Sequence, residues 1–535
     1  MELVYNKAIG KPITAYISSQ VVITMSISFL QRMLISTLAL LVVPLYFYFR
    51  RSSSRSKLPT NWPILYMFPS LLTNLHNLHD YLAAVLAGSG HSFRAHGPPG
   101  SGMRFFFTCN PDNVRHIFTT NRPNYPKGPE FAAIFDIMDG ALFTLDGEPW
   151  RHPRMKVQNV LSSPRVVARM STCCRDMLEN NLLPRLIDVA GTGTPFDMQE
   201  LMARFMFDLT ATTLIGVDPG LMSSDMPPMD VSDAMDTVME VGFVRHMMPA
   251  YCWKAMRWVN IGPERNLMVA HTVLRGFVAE MMEMRKKIEA GGHVGNDKEQ
   301  EEVYILSSYI TDPDYVGDDL FRATLLGFML AGRDTIATTL PWIFYILAQR
   351  PDVVSTLRNE LSPIASHKVA GMGLMVIFEP EETKALVYLG AVLYETLRLY
   401  PPGPFVRKTV LTDDSMPSGH VVKAGDTIIV SFHSIGRMEN VWGEDCLDYN
   451  PDRWLSKDSG DKLRYVPSHK FLAFNSGPRI CPGKDIAIMQ MKTIVAAVVW
   501  NFNMEVVEGQ TIQPKSSCLL QMKNGLKMML KKRDI

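Results

Sequence analysis

FLAFNSGPRICPGKDIAIMQMKT, residues 471–493, is the stretch on which the reading of the whole chain turns. It crowds Gly477, Pro478, Pro482 and Gly483 around Cys481, places Arg479 two residues upstream, and runs into a helix-forming pattern from about Asp485. A thiol just ahead of a helix gains from the dipole and from free backbone N–H groups, so its pKa is expected to fall, which suits a metal ligand. Glycines let a backbone approach a flat cofactor closely, and Arg479 can bind an anionic substituent. One cysteine without a neighbouring His or second Cys is the ligation of haem-thiolate iron, whereas zinc needs further ligands. An inert buried thiol is the alternative that any single cysteine carries.

The chain has 535 residues, 47% hydrophobic and 20% charged, with a formal net charge of +1. That composition suits a large globular core and gives no overall pull toward nucleic acid. Seven cysteines without a C-x-x-C pair point to a reduced, cytosol-facing protein. Residues 33–49, MLISTLALLVVPLYFYF, carry no charge and are about long enough to span a bilayer. Arg50, Arg51, Arg55 and Lys57 follow, so the positive-inside bias predicts one transmembrane helix with everything after it in the cytoplasm. Residues 1–32 are then a lumenal extension, 50–69 a basic, proline-rich linker, and 70–535 one large soluble domain. Long helical patterns dominate that domain. Strand signals are confined to short runs, MRFFFT at 103–108 and DTIIVSFH at 426–433, so the expected class is mainly α with small β-sheets. GHVGNDKEQEEV at 292–303 reads as a polar surface loop.

The longest pattern, 318–350, is apolar nearly all round and predicts a central buried helix. Its middle holds Gly332, Asp334, Thr335, Thr338 and Thr339, polar groups that line a cavity or bind water if they are to be buried at all. Gly and Thr there loosen the helix and open a groove. A solvent-facing Asp-Thr pair is the alternative. Glu395 and Arg398 lie three apart on a helix ending at Pro401, and Arg453 in YNPDRW could complete a buried cluster with them.

Taken in order, these motifs resemble the cytochrome P450 family, in its membrane-bound plant form. Phe474, Gly477, Arg479, Cys481 and Gly483 match its ten-residue cysteine loop. Ala331–Thr335 matches its oxygen groove, Glu395, Arg398 and Arg453 its E-x-x-R with the later Arg, and Trp150 with Arg154 its C-helix pair. LPTNWPIL, NYPKGPEF, GRMENVWGEDC and VVEGQ resemble the plant alkane and fatty-acid hydroxylase group, especially the midchain alkane hydroxylase branch.

The resemblance implies haem b bound through Cys481, with Arg479, Trp150 and Arg154 on its propionates and Phe474, Gly477 and Gly483 shaping the loop. It implies that Asp334 and Thr335 relay protons, Asp334 linking towards solvent, and that Glu395, Arg398 and Arg453 are structural. Substrate segments fall at Phe131 and Phe135, at Phe328 and Leu330, at Phe405 and Val406, and at Leu519 with Leu520. The implied reaction is insertion of one oxygen atom from O2 into an aliphatic C–H bond of an alkane or fatty acid. Oxidation or phenol coupling of an aromatic metabolite, an oxygen-independent peroxide isomerase and a non-catalytic haem-binding protein are the alternatives.

Electrons come, on this reading, from NADPH through cytochrome P450 reductase at the endoplasmic reticulum membrane, with Arg151, Lys156 and Lys484 on the docking face and no nucleic-acid partner. Three departures from the family pattern stand out. Ile336 replaces a second Thr or Ser, Pro153 lies inside the C-helix motif, and Tyr66 replaces a hinge Gly.

Overall fold

Where apolar residues recur at helical spacing, the chain forms helices, and its few β-rich runs form three small sheets. The principal helices are α1 (Leu78–Gly88), α2 (Gly147–Ser162), α3 (Pro164–Met177), α4 (Leu183–Thr192), α5 (Met198–Ile215), α6 (Asp230–Met247), α7 (Gly262–Gly291), α8 (Asp318–Met329), α9 (Thr335–Gln349), α10 (Pro351–Lys368), α11 (Val387–Leu399) and α12 (Lys484–Asn501). Local chemistry sets many of their ends. Asp197 caps α5 by accepting from the N–H groups of Gln199 and Glu200, and Gly216 ends it in the left-handed region. Pro351 starts α10 directly after α9, and Pro401 follows the end of α11.

This computed structural model describes residue 62, residues 65–291, 304–310, 312, 318–368, 375–456 and 462–534. The anchor expected at 33–49, the extension before it, its basic flank and the loop at 292–303 lie outside the described residues. Among the described residues no helix is long and apolar enough to cross a membrane. Packing begins inside the stretch expected to be linker: Trp62 and Tyr66 exchange backbone hydrogen bonds of 3.0 and 2.9 Å, and Met67 is buried.

Strands β1 (Ser92–His96), β2 (Arg104–Thr108), β4 (Phe405–Thr409) and β7 (Thr427–Ser431) form one sheet in the order β1-β2-β7-β4. The two runs expected as strands are therefore neighbours, paired in parallel with Phe106 opposite Ile428. β3 (Phe196–Asp197), β8 (Phe502–Val506) and β9 (Lys527–Lys532) make a second sheet, and β5 (Asp414–Ser415) with β6 (Val421–Val422) a two-stranded ribbon. β4 follows α11 after a short loop and pairs antiparallel with β7, which carries Phe405 and Val406 to the edge of the central cavity.

The main core joins α5, α9, α10, α11 and α12. Leu340, Ile343, Phe344 and Ile494–Val499 are fully enclosed in it. The expected single helix over 318–350 is instead two helices separated by a π-helical turn, Leu330–Asp334. One extra residue in that turn re-aims the side chains that follow, as such bulges do at functional sites. Gly332 is needed there for space: a Cβ would stand 2.8 Å from Thr210 Cγ2 of α5. Pro153 does not break α2, which continues through it to Ser162.

Candidate active site

A cavity of about 790 Å³ lies where α2, α6, the π turn, β4 and the cysteine loop converge. Its lining contains Phe131, Phe135, Trp150, Arg154, Phe328, Leu330, Asp334, Thr335, Phe405, Val406, Phe474, Arg479, Cys481, Gly483 and Leu519. Leu520 is buried and is not in the lining, its N–H donating to the Pro402 carbonyl and its own carbonyl accepting from Trp342 Nε1. Gly477 is not in the lining either. It adopts φ +63°, and a Cβ there would stand 2.3 Å from the Phe118 carbonyl oxygen, so this glycine serves the approach of one backbone to another.

The cysteine loop is tied into one turn by the Cys481 N–H, which donates to the Phe474 carbonyl at 2.8 Å, and by Asn475 in the left-handed region. The Cys481 side chain opens onto the cavity. Its thiol departs from expectation. Burial raises its pKa and outweighs the Gly483 N–H and the nearby Arg154, both of which lower it. A metal bound there would favour the thiolate.

Around the cavity's edge lies a cluster of cations with too few anions. Arg479 donates to the Leu145 carbonyl at 2.5 Å and to Asp146 at 2.7 Å, and its guanidinium lies over Trp150. Arg154 donates to the Ile480 carbonyl at 2.6 Å. Lys408 and Lys127, which the sequence reading missed, join them. Burial and the Arg479 charge hold Lys408 down at about 7 and Lys127 well below the usual lysine range, and burial holds Arg479 down at about 10. Asp146 offsets part of this charge. The signal for Lys408 was its place beside Phe405 and Val406 in a strand leading into the cavity.

On the opposite side, the Thr335 hydroxyl donates to the Ala331 carbonyl at 2.8 Å across the π turn, leaving its oxygen lone pairs free to accept. The Asp334 Oδ1 accepts from Arg333 at 2.5 Å, Arg333 also reaches the partly exposed Asp236 of α6 at 2.9 Å and Ser232, and Asp334 Oδ2 is buried without a partner among the described residues. Burial raises the Asp334 carboxyl to about 6, against the pull of Arg333 and with the push of Asp236. Nothing but a charged residue inside an apolar helix pattern marked Arg333, and Asp236 lies too far along the chain for spacing to pair them. Ile336 is buried and borders the cavity.

Behind the site, Glu395 binds Arg398 through both carboxylate oxygens at 2.7 and 2.8 Å and Arg453 at 3.4 Å. Trp454 Nε1 donates to Glu395 as well, at 2.9 Å, an addition that YNPDRW carried unread. Lys156 is corrected: it pairs with Asp312, lies against Tyr309 and is largely buried, so it does not belong to an exposed docking face. Arg151 is exposed.

A lone thiol held on a tight turn and open to the cavity is placed to bind a metal, and a rim of buried lysine and arginine charges is placed to bind carboxylates beside it. Haem supplies both, and the residues present fit it, which defines the class as haem-thiolate proteins. The family model described as Cytochrome P450 matches residues 57–530, and the chain belongs to that family, a family of monooxygenases. Similar proteins include noroxomaritidine synthase 2 of Narcissus pseudonarcissus, 35% identical over 91% of this chain and 93% of the relative. Alkane hydroxylase MAH1 of Arabidopsis thaliana is 34% identical over 91% and 96%. Cytochrome P450 86B1 of the same plant is 33% identical over 89% and 86%.

Proposed function

We propose that this monooxygenase hydroxylates an unactivated C–H bond of a long, hydrophobic, aliphatic substrate such as an alkane or fatty acid. One oxygen atom of O2 enters the C–H bond and the other leaves as water, with electrons from NADPH delivered by a membrane-bound reductase. The observation that carries this reading is the apolar wall of the cavity, built of phenylalanine, leucine and methionine on the side away from the cations and next to Cys481 and Thr335. When bound, the haem supplies the oxygen-activating redox chemistry. Cys481 would hold its metal, and Arg154, Arg479, Lys408 and Lys127 its carboxylates, with Trp150 packed among the arginines.

The chain's own groups then manage protons and water. Thr335, anchored on Ala331, presents an acceptor oxygen to the cavity. Asp334, its carboxyl raised by burial, is placed to take and give a proton, its Oδ1 fixed by Arg333 and its Oδ2 without a partner among the described residues. Aromatic side chains at Phe131, Phe135 and Phe405 exclude bulk water and orient a chain by shape.

Phenol coupling is a second reading. It is favoured by the ring cluster of Phe131, Phe135 and Phe143, with centroids 5.1 to 5.2 Å apart, which could grip an aromatic ring, and by the name of the Narcissus relative. Residues 33–49 as a single-pass endoplasmic reticulum anchor, with the domain on the cytoplasmic side, complete the proposal. Microsomes holding the full chain and a reductase, fed n-alkanes, fatty acids and phenols, test it. Hydroxylated chain products support the aliphatic reading, and turnover confined to phenols overturns it.

A further inference from the structure

His246 is the residue of the cavity roof that nothing above uses. It sits at the end of α6, 3% exposed, among three phenylalanines: Phe131, Phe135 and Phe405 have ring centroids 6.1, 5.8 and 5.5 Å away. Its Nδ1–H donates to the Gly242 carbonyl at 2.7 Å, which fixes the tautomer and leaves Nε2 as a bare acceptor. No described residue bonds Nε2, and that atom is not among the sealed, partnerless ones. His246 lines the main cavity and also a second, almost wholly apolar one of about 60 Å³ beneath β1 and β2. The two cavities share His246 and Phe405, and the second has none of the cysteine-loop or π-turn residues in its wall.

We propose that His246 Nε2 accepts a hydrogen bond from a neutral hydroxyl on the end of the substrate remote from the site of oxidation. The ligand class is a long-chain alcohol or an alkylated phenol. An acceptor walled by phenyl rings selects a donor, because a substrate without one leaves the nitrogen buried and unpaired. A carboxylate does not answer it: neutral Nε2 offers a lone pair and no proton, and burial with the Arg407 charge holds the imidazole down at about 3. Arg407 is the rival anchor for an acid: its Nη2 is taken by Glu130 and Thr427 and its Nε is sealed from the cavity, which leaves Nη1 as the group an acid would use, and tighter binding of dodecanoate is the outcome that would assign the polar end to it. This inference rests on the cavity being a site for a long hydrophobic molecule and adds which polar end that molecule carries.

The test is calorimetric binding to the full-length, haem-loaded protein of dodecanol, methoxyundecane, dodecanoate and para-octylphenol. Dodecanol and methoxyundecane have the same number of heavy atoms and differ in the donor. Dodecanol is expected to bind roughly tenfold tighter than the ether, and tighter than dodecanoate. In H246F the alcohol-to-ether ratio falls to near one. Para-octylphenol binding tighter than dodecanol supports an aromatic source for the hydroxyl, and weaker binding supports an aliphatic one. Equal affinity for alcohol and ether in the unaltered protein overturns the inference alone, whether or not H246F folds, and so does tighter binding of dodecanoate. Binding of no member overturns the proposed function with it.

Discussion

At the scale of single residues, the chemistry divides between groups that announce themselves and groups that do not. Cys481 was legible because its loop concentrates glycine, proline and arginine into a few adjacent positions, and Asp334–Thr335 because charge inside an apolar helix is costly. The partners that tune them come from distant segments, and no local pattern joins Asp334 to Asp236 or Arg479 to Lys127. The Asp334 carboxyl, lifted to about 6 by burial, is pulled down by Arg333 and pushed up by Asp236, so the two neighbours predict opposite shifts. If Asp334 carries the proton, R333L removes the stabilising cation and moves the acid limb of the kcat profile to higher pH. D236N removes a repelling anion and moves it lower. Profiles of both variants that shift in the same direction, or not at all, remove Asp334 from proton delivery. For Cys481 the prediction is sharper: Cys481→Ala loses the ferrous-carbon monoxide band of thiolate ligation together with turnover. A variant that keeps both would disprove the ligand assignment.

At the scale of elements, the mainly helical class and the strands β2 and β7 follow from pattern, whereas the other strands are too short or too mixed to show in it, and the long helix shows where pattern stops. Periodicity over 318–350 is continuous, so it predicts one rod, while the π turn at Leu330–Asp334 is decided by contact between helices. Gly332 permits that contact, its Cα side facing Thr210 of α5 at a distance that leaves no room for a methyl group. G332A is therefore expected to lower stability by about 1–3 kcal/mol, as overpacking does, beyond any gain in helix propensity from alanine. Thr210→Ala in the G332A background removes the colliding Cγ2 and should recover much of the loss. Thermal unfolding of the two single variants and the double one measures the coupling. Strict additivity would mean that the glycine serves something other than the α5 approach. Tyr66 is a milder case of the same kind: it holds φ +48° where glycine is relaxed, which gives the departure from the family's hinge residue a backbone cost.

At the scale of the whole molecule, the question is what holds the segment leading to the cysteine loop against the helices of the main core. Spacing alone made Glu395 and Arg398 one of many possible surface pairs, and packing makes them the junction. Both are wholly enclosed, and Arg398 donates onward to the carbonyls of Gly436, Cys446 and Asp448. Glu395 in turn accepts from the Asn450 N–H, Arg453 and Trp454, so one carboxylate organises α11 and the long loop from 436 to 454 that leads to the cysteine segment. Such a group adds little over an apolar replacement of the entire cluster, yet removing it alone leaves the wholly enclosed Arg398 guanidinium without an anion, while Arg453 keeps Asp445 at 2.8 Å. Glu395→Ala is expected to cost about 3–5 kcal/mol, a large share of the roughly 5–15 kcal/mol that a folded domain holds in reserve. The loss should appear as a lower urea midpoint and as poor retention of haem, with little soluble protein at growth temperature. Glu148→Ala is the control, because its partner Arg151 lies 3.7 Å away on an exposed face where such pairs contribute about 0–1 kcal/mol. A Glu395→Ala midpoint no lower than that of Glu148→Ala would show that the junction is held by apolar packing alone.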